Sequence, residues 1–136
     1  MTQQKALSYK HKQLHLWDDT LPSDRINLTA HNMEQKLKIV EQFDIVGTVT
    51  GISPIGNGLI NDTYQVPTAS PDTPDYILQR INHHIFKDVD LLQRNIQLVT
   101  DHIREKLAAA GEEDIERKVL RLIPARDGKL YYHNAE

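Results

Sequence analysis

A short glycine-containing stretch at residues 54–66, PIGNGLINDTYQV, carries residue types that suit anion binding. Gly56 and Gly58 lack a Cβ, so the backbone can approach a ligand closely, and successive inward-pointing amides bind phosphate oxygens. Asn61 tolerates left-handed geometry and can hold the turn or donate its amide. An ordinary glycine hairpin is the alternative interpretation. The candidate phosphate-binding turn comprises Gly56, Asn57, Gly58, Leu59, Ile60, Asn61 and Asp62.

Other familiar chemistries do not fit the residues. A strand rather than a helix follows the glycines, which excludes the dinucleotide-binding fingerprint, and no Gly-Lys-Ser/Thr run is present. His11 and His15 lie four residues apart, and His83 and His84 are adjacent. A metal site needs a third ligand, which the sequence does not offer near either pair, so we expect solvated histidines and no metal site.

The elements around the turn follow from periodicity. Apolar residues with helical spacing predict a helix over 33–43, capped by Asn32. β-Branched and alternating segments predict strands at 48–55, 63–66 and 76–81. A hairpin is predicted at 118–133, around a tight Asp127-Gly128 turn.

One long helix follows the third predicted strand. Asp88 is a good N-cap, and Gly111 lies where a left-handed C-terminal cap belongs. Between them, steps of three or four residues form one apolar stripe, which predicts a buried face. The stripe consists of Val89, Leu92, Ile96, Val99, Ile103, Leu107 and Ala110.

Arg80 lies on the third strand, between the glycine turn and the long helix. The order strand, glycine loop, strand, basic strand, helix resembles the N-terminal lobe of a protein kinase. In such a lobe the basic side chain neutralises phosphate charge, and an apolar residue two positions earlier packs on adenine. Leu78 and Arg80 have this spacing and share a strand face, and a guanidinium suits phosphate. A surface cation on an exposed strand face is the alternative.

Composition bounds the class of protein. With 136 residues the chain has room for one domain. A net charge of −3 argues against a general nucleic-acid binder, and no segment resembles a membrane span or a secretory signal. With no cysteine, a cytoplasmic location is expected. We predict a polar, flexible extension at 1–32 and a patterned domain at 33–136.

Three segments, GNGLINDTYQV, YILQRIN and LLQRNIQLVTDHI, resemble bacterial phosphotransferases of the aminoglycoside phosphotransferase and choline kinase type. They are similar in particular to the N-terminal lobe of N-acetylhexosamine 1-kinase-like proteins of Bacteroidetes, over about residues 33–136. The resemblance implies an α+β, kinase-like lobe with a twisted antiparallel sheet and one long helix. It also implies ATP- and Mg²⁺-dependent phosphorylation of a small sugar, with nucleotide contacts from Gly56 to Asp62, Leu78 and Arg80.

The chain departs from this family at its end. The family's catalytic and metal-binding aspartates lie in a C-terminal lobe that would begin beyond residue 136, so no catalytic residue or metal ligand is expected here. The strand leading to that lobe is also missing. We therefore expect an inactive, truncated lobe whose unpaired sheet edge invites self-association. The alternative is a small α+β interaction module, or a non-functional gene fragment, without nucleotide binding.

Overall fold

A computed structural model describes residues 12–18, 30–56 and 61–134. These residues form an α+β fold in which five strands make one sheet. In chain order the elements are β1 (Lys12–Asp18), α1 (Ala30–Val40), β2 (Ser53–Pro54), β3 (Asp62–Val66), β4 (Tyr76–Ile81), α2 (Val89–Ala109), α3 (Ile115–Lys118) and β5 (Tyr132–Asn134).

The sheet is mixed, with the strand order β2-β3-β4-β1-β5. β2, β3 and β4 form an antiparallel meander. β1 lies between β4 and β5 and runs parallel to both. The expectation of an antiparallel sheet therefore holds for the meander and is wrong for β1. A parallel neighbour requires a long connection, which a hairpin-based interpretation does not supply.

β1 comes from the segment that the sequence analysis assigned to a flexible extension. Lys12–Asp18 is a strand paired along six positions of β4, from Lys12 opposite Tyr76 to Trp17 opposite Ile81. Leu14 and His15 are buried. β1 thus pairs with β4, which makes β4 an interior strand of the described sheet. The division of the chain at residue 32 as a domain boundary stays a prediction.

One face of the sheet carries the main core. Alternation along the strands points Tyr64, Leu78 and Leu14 to the same side, where α1 and the segment after it cover them. Because these side chains exclude water together, burial of their apolar area stabilises the meander, β1 and α1 as one unit. The buried members are Leu14, Ile39, Val40, Phe43, Ile52, Tyr64, Val66, Tyr76, Leu78, Ile123 and Ala125.

The opposite face of the sheet contacts α2. A smaller buried cluster joins Ile81 of β4, Val89 of α2 and Tyr131, which precedes β5. On the same face, His15 of β1 reaches Gln93 of α2 through a hydrogen bond. α1 and α2 therefore lie on opposite faces of the sheet, and β1 contributes buried residues to both faces.

The long helix is confirmed with both of its predicted ends. The Asp88 carboxylate accepts a hydrogen bond from the Leu91 amide at 2.9 Å, and Gly111 adopts a left-handed φ of 73° after the last turn. The expected burial of the whole stripe is wrong, however. Val89 is 2% exposed, whereas Val99 is 58% exposed. Among the described residues, the buried positions of α2 are Val89 and Gln93, in its N-terminal part.

Smaller differences concern element ends. α1 begins at Ala30, so Asn32 lies inside the helix and is not its cap. The predicted strand at 48–55 is reduced to Ser53–Pro54, with an isolated bridge from Val49 to Thr68.

The predicted tight turn after residue 125 forms. The Ala125 amide donates to the Lys129 carbonyl at 2.8 Å. The predicted hairpin does not follow from it, because β5 pairs with β1 instead of with the segment before the turn. Parallel pairing with β1 thus replaces the local pairing that the Asp127-Gly128 signal favours.

Candidate functional site

The end of the glycine turn is fastened to the end of β4. Asn61 accepts a hydrogen bond at its side-chain oxygen from the Asn82 amide, at 2.9 Å. Gly56, at the start of the turn, has a φ of 61°, in the left-handed region that favours glycine. Asn57, Gly58, Leu59 and Ile60 lie outside the described residues. The sequence suggested that Asn61 could hold the turn, and this hydrogen bond is a contact through which it can do so.

Arg80 forms an ion pair with the last residue of the turn. Asp62 and Arg80 are directly opposite in the register of β3 and β4, and Arg80 Nη1 lies 3.3 Å from Asp62 Oδ2. The two side chains are 13% and 11% exposed. Such a shielded pair interacts more strongly than a surface pair, because less water screens it. The ion pair therefore holds the guanidinium next to Asp62, and its role toward phosphate stays a prediction.

Leu78 shares its strand face with Arg80 but lies in the main core. It is 0% exposed and packs in the cluster that α1 covers. The face that was expected to contact adenine is thus the face on which α1 lies. A base could reach Leu78 only if this part of the core opened, and the adenine contact stays a prediction.

A lysine that sequence reasoning did not single out lies near this face. Lys36 of α1 is 9% exposed, and its Nζ lies 5.2 Å from the ring centroid of Tyr64, two residues along β3 from Asp62. A cation above an aromatic face is attracted to the ring quadrupole. The sequence does contain a pattern that predicts burial of Lys36, because Lys36 has helical spacing with Met33 and Val40 on the apolar stripe of α1.

A second contact that the sequence did not predict joins β1 to α2. Nδ1 of His15 lies 2.8 Å from Oε1 of Gln93, an arrangement in which the neutral ring donates from Nδ1. Burial lowers the pKa of His15 to about 4, against the opposing effect of the Gln93 hydrogen bond. The expectation of a solvated His15 is wrong, because β1 lies inside the sheet. His11 lies outside the described residues.

The polar groups of the described ranges do not assemble a metal centre. No group of three or more His, Asp or Glu side chains there could hold a metal ion. The rings of His83 and His84 lie next to each other in a tilted arrangement, with centroids 4.3 Å apart and an interplanar angle of 35°. A small polar pocket lies elsewhere, against α2. It is lined by Gln97, Thr100, Asp101, Arg104, Arg121 and Leu122.

No protein-family model matches the chain. Within 12–18, 30–56 and 61–134, no helix is long and apolar enough to cross a membrane. The described part of the candidate site therefore consists of Gly56, the Asn61 anchor and the Asp62–Arg80 pair. Within it, the guanidinium of Arg80 is a group that suits an anion.

Proposed function

We propose that the chain is the nucleotide-binding portion of an ATP-dependent small-molecule phosphotransferase, of the kind that phosphorylates sugars such as N-acetylhexosamines. The observation that carries the proposal is the Arg80–Asp62 pair at 3.3 Å, which holds a guanidinium at the end of the glycine turn. The antiparallel order β2, turn, β3, β4, followed by α2, agrees with a kinase-like N-terminal lobe.

The chemistry of this portion is charge neutralisation. Amides of the glycine turn and the Arg80 guanidinium would share the phosphate oxygens of the nucleotide, since a planar fork suits two oxygens at once. Magnesium would arrive as the ATP complex, held mainly by phosphate oxygens and water. A general base and contacts to the acceptor sugar are not part of this site.

Asp62 sets the strength of this site. While Arg80 is paired with Asp62, a phosphate must compete with a carboxylate for the guanidinium. Removal of the carboxylate charge would remove this competitor of the phosphate for the guanidinium. The ion pair therefore predicts opposite effects of substitution at its two members.

Calorimetric titration of the full chain with ATP and Mg²⁺ tests the proposal. We expect Arg80→Ala to weaken binding roughly tenfold or more, on the order of the ~1.5–3 kcal/mol of a charge-assisted hydrogen bond. Arg94→Ala, at an exposed position of α2, is the matched loss of one positive charge and should leave the affinity unchanged. Asp62→Asn should tighten binding several-fold.

Two outcomes would contradict the proposal. The first is the absence of ATP binding by a folded wild-type chain. The second is an equal effect of Arg80→Ala and Arg94→Ala, which would mean that only net charge matters. Circular dichroism of each variant establishes that its fold is retained.

A second candidate, a small α+β interaction module without nucleotide binding, is favoured by the burial of Leu78 at 0% exposure. In that case the ion pair is structural, and its role is to fix the register of β3 and β4. Arg80→Ala would then lower the free energy of unfolding without any effect on a ligand. Thermal denaturation of the same variants distinguishes the two functions.

A further inference from the structure

β1 holds together two parts of the sheet that have no other strand contact within the described ranges. β4 pairs with β1 along one edge, and β5 pairs with β1 along the other. Among the named strands there, β5 has no other partner. Departure of β1 would therefore open a slot with a bare strand edge on each side, and such edges pair readily with another strand.

The slot selects its occupant at two side chains. Leu14 fills the main core at 0% exposure, and His15 on the opposite face reaches Gln93 of α2 at 2.8 Å. An incoming strand must present an apolar side chain to one face and a hydrogen-bonding side chain to the other at consecutive positions. The segment 12–18 of any copy of this chain meets both requirements, with the same register.

The connection between β1 and α1 consists of residues 19–29. A fully extended segment of that length spans at most roughly 36–40 Å, which sets the reach of the strand toward a neighbouring copy. A strand that is supplied by a neighbouring copy makes the same pairs with β4 and β5 as the chain's own strand. The exchange therefore preserves the strand contacts and costs mainly association entropy.

We propose that β1 is an exchangeable strand, and that the slot between β4 and β5 accepts Lys12–Asp18 of a second copy to give a strand-swapped dimer. This differs from the self-association expected from the sequence, in which an unpaired edge would meet another edge. In the monomer and in the strand-swapped dimer alike, a parallel β1 strand covers the edge of β4. The two states differ in which chain supplies that strand.

Two single-cysteine chains report the exchange directly, because the natural sequence has no cysteine. Gln13 lies opposite Ile77 in the register of β1 and β4, and adjacent strands bring paired Cα atoms within disulfide range. Chains with Gln13→Cys and with Ile77→Cys are mixed, incubated at several concentrations, oxidised and separated without reductant. We expect a disulfide-linked heterodimer, identified by mass, that increases with concentration.

The control replaces the second chain with Glu105→Cys, an exposed position on α2. Collisional cross-linking yields equal heterodimer in both mixtures, and that result overturns the proposal. The absence of a heterodimer in the Gln13→Cys and Ile77→Cys mixture overturns it as well.

A measurement on the natural chain guards against a variant that fails to fold. Light scattering after chromatography should detect a species of twice 15.6 kDa whose fraction rises with concentration. A monomer at every concentration contradicts the proposal. In a doubly substituted Gln13→Cys and Ile77→Cys chain, the dimer should be covalently linked, whereas Thr63→Cys with Gln79→Cys, opposite in β3 and β4, should cross-link only within one chain.

Discussion

At the scale of single residues, His15 makes stability depend on acidity. Its folded pKa is about 4, below the ordinary value of 6.5, because burial disfavours the charged ring. Between these two values the unfolded chain binds a proton that the folded chain does not. The contribution of neutral His15 is thus fully present above pH 6.5 and is lost as the pH falls toward 4.

We expect His15 to account for about 2–3 kcal/mol of lost unfolding free energy between pH 7.5 and pH 4.5, at ~1.4 kcal/mol per unit of pKa difference. Urea denaturation at the two pH values measures the loss. His15→Gln retains a hydrogen-bonding side chain and does not titrate, so its loss over the same range should be smaller by that amount. Equal losses in both chains would show that His15 is not buried as described.

At the scale of elements, the buried residues of α2 lie near its N-terminus. Val89 and Gln93 are its buried residues, whereas Leu98, Val99 and Ile103 are exposed. We expect Val89→Ala to cost about 2 kcal/mol, because it removes two buried methyl groups and leaves a cavity. The same substitution at Val99 should change stability by less than about 0.5 kcal/mol.

Denaturant unfolding of the two valine variants measures this difference. The pair is matched in chemistry, but Val89 is the first residue of α2 and Val99 lies in its interior. The gain in helix propensity from alanine therefore favours the Val99 variant, which is the direction of the expected difference. A similar loss at Val99 would mean that the exposed half of the stripe is covered in solution.

At the scale of the whole molecule, β1 should behave as an interior strand. Hydrogen exchange of the full chain is expected to protect amides of Lys12–Asp18 to a degree similar to those of Tyr76–Ile81, because the two strands are paired over six positions. Amides at 12–18 that exchange as fast as those of an unstructured peptide would contradict the five-stranded sheet.

The sequence predicted those parts of the fold that local signals determine. Asp88 and Gly111 mark the ends of α2 within a few residues, and alternation alone locates Tyr76–Ile81. Parallel pairing of β1 with β4 joins segments about 60 residues apart, and no period within Lys12–Asp18 states which strand will be its neighbour. Periodicity on α2 likewise identifies an apolar stripe without revealing how much of it is covered.

The candidate site could likewise be predicted only in part from the sequence. The residue types at Gly56, Asn61 and Arg80 are visible in the sequence, and their chemistry suggests an anion. The pairing of Arg80 with Asp62 depends on the register across the long 67–75 connection, and the burial of Leu78 depends on the side of the sheet to which α1 returns. Both are tertiary outcomes, so they could not be predicted from spacing.

The position of β1 also orders events during protein synthesis. Lys12–Asp18 leaves the ribosome well before Tyr76–Ile81 and Tyr132–Asn134, the two strands between which it lies. Both neighbouring strands are therefore present only after translation has passed Asn134. A bulky domain fused before Lys12 should therefore slow the insertion of β1 between β4 and β5 more than the same domain fused after Asn134.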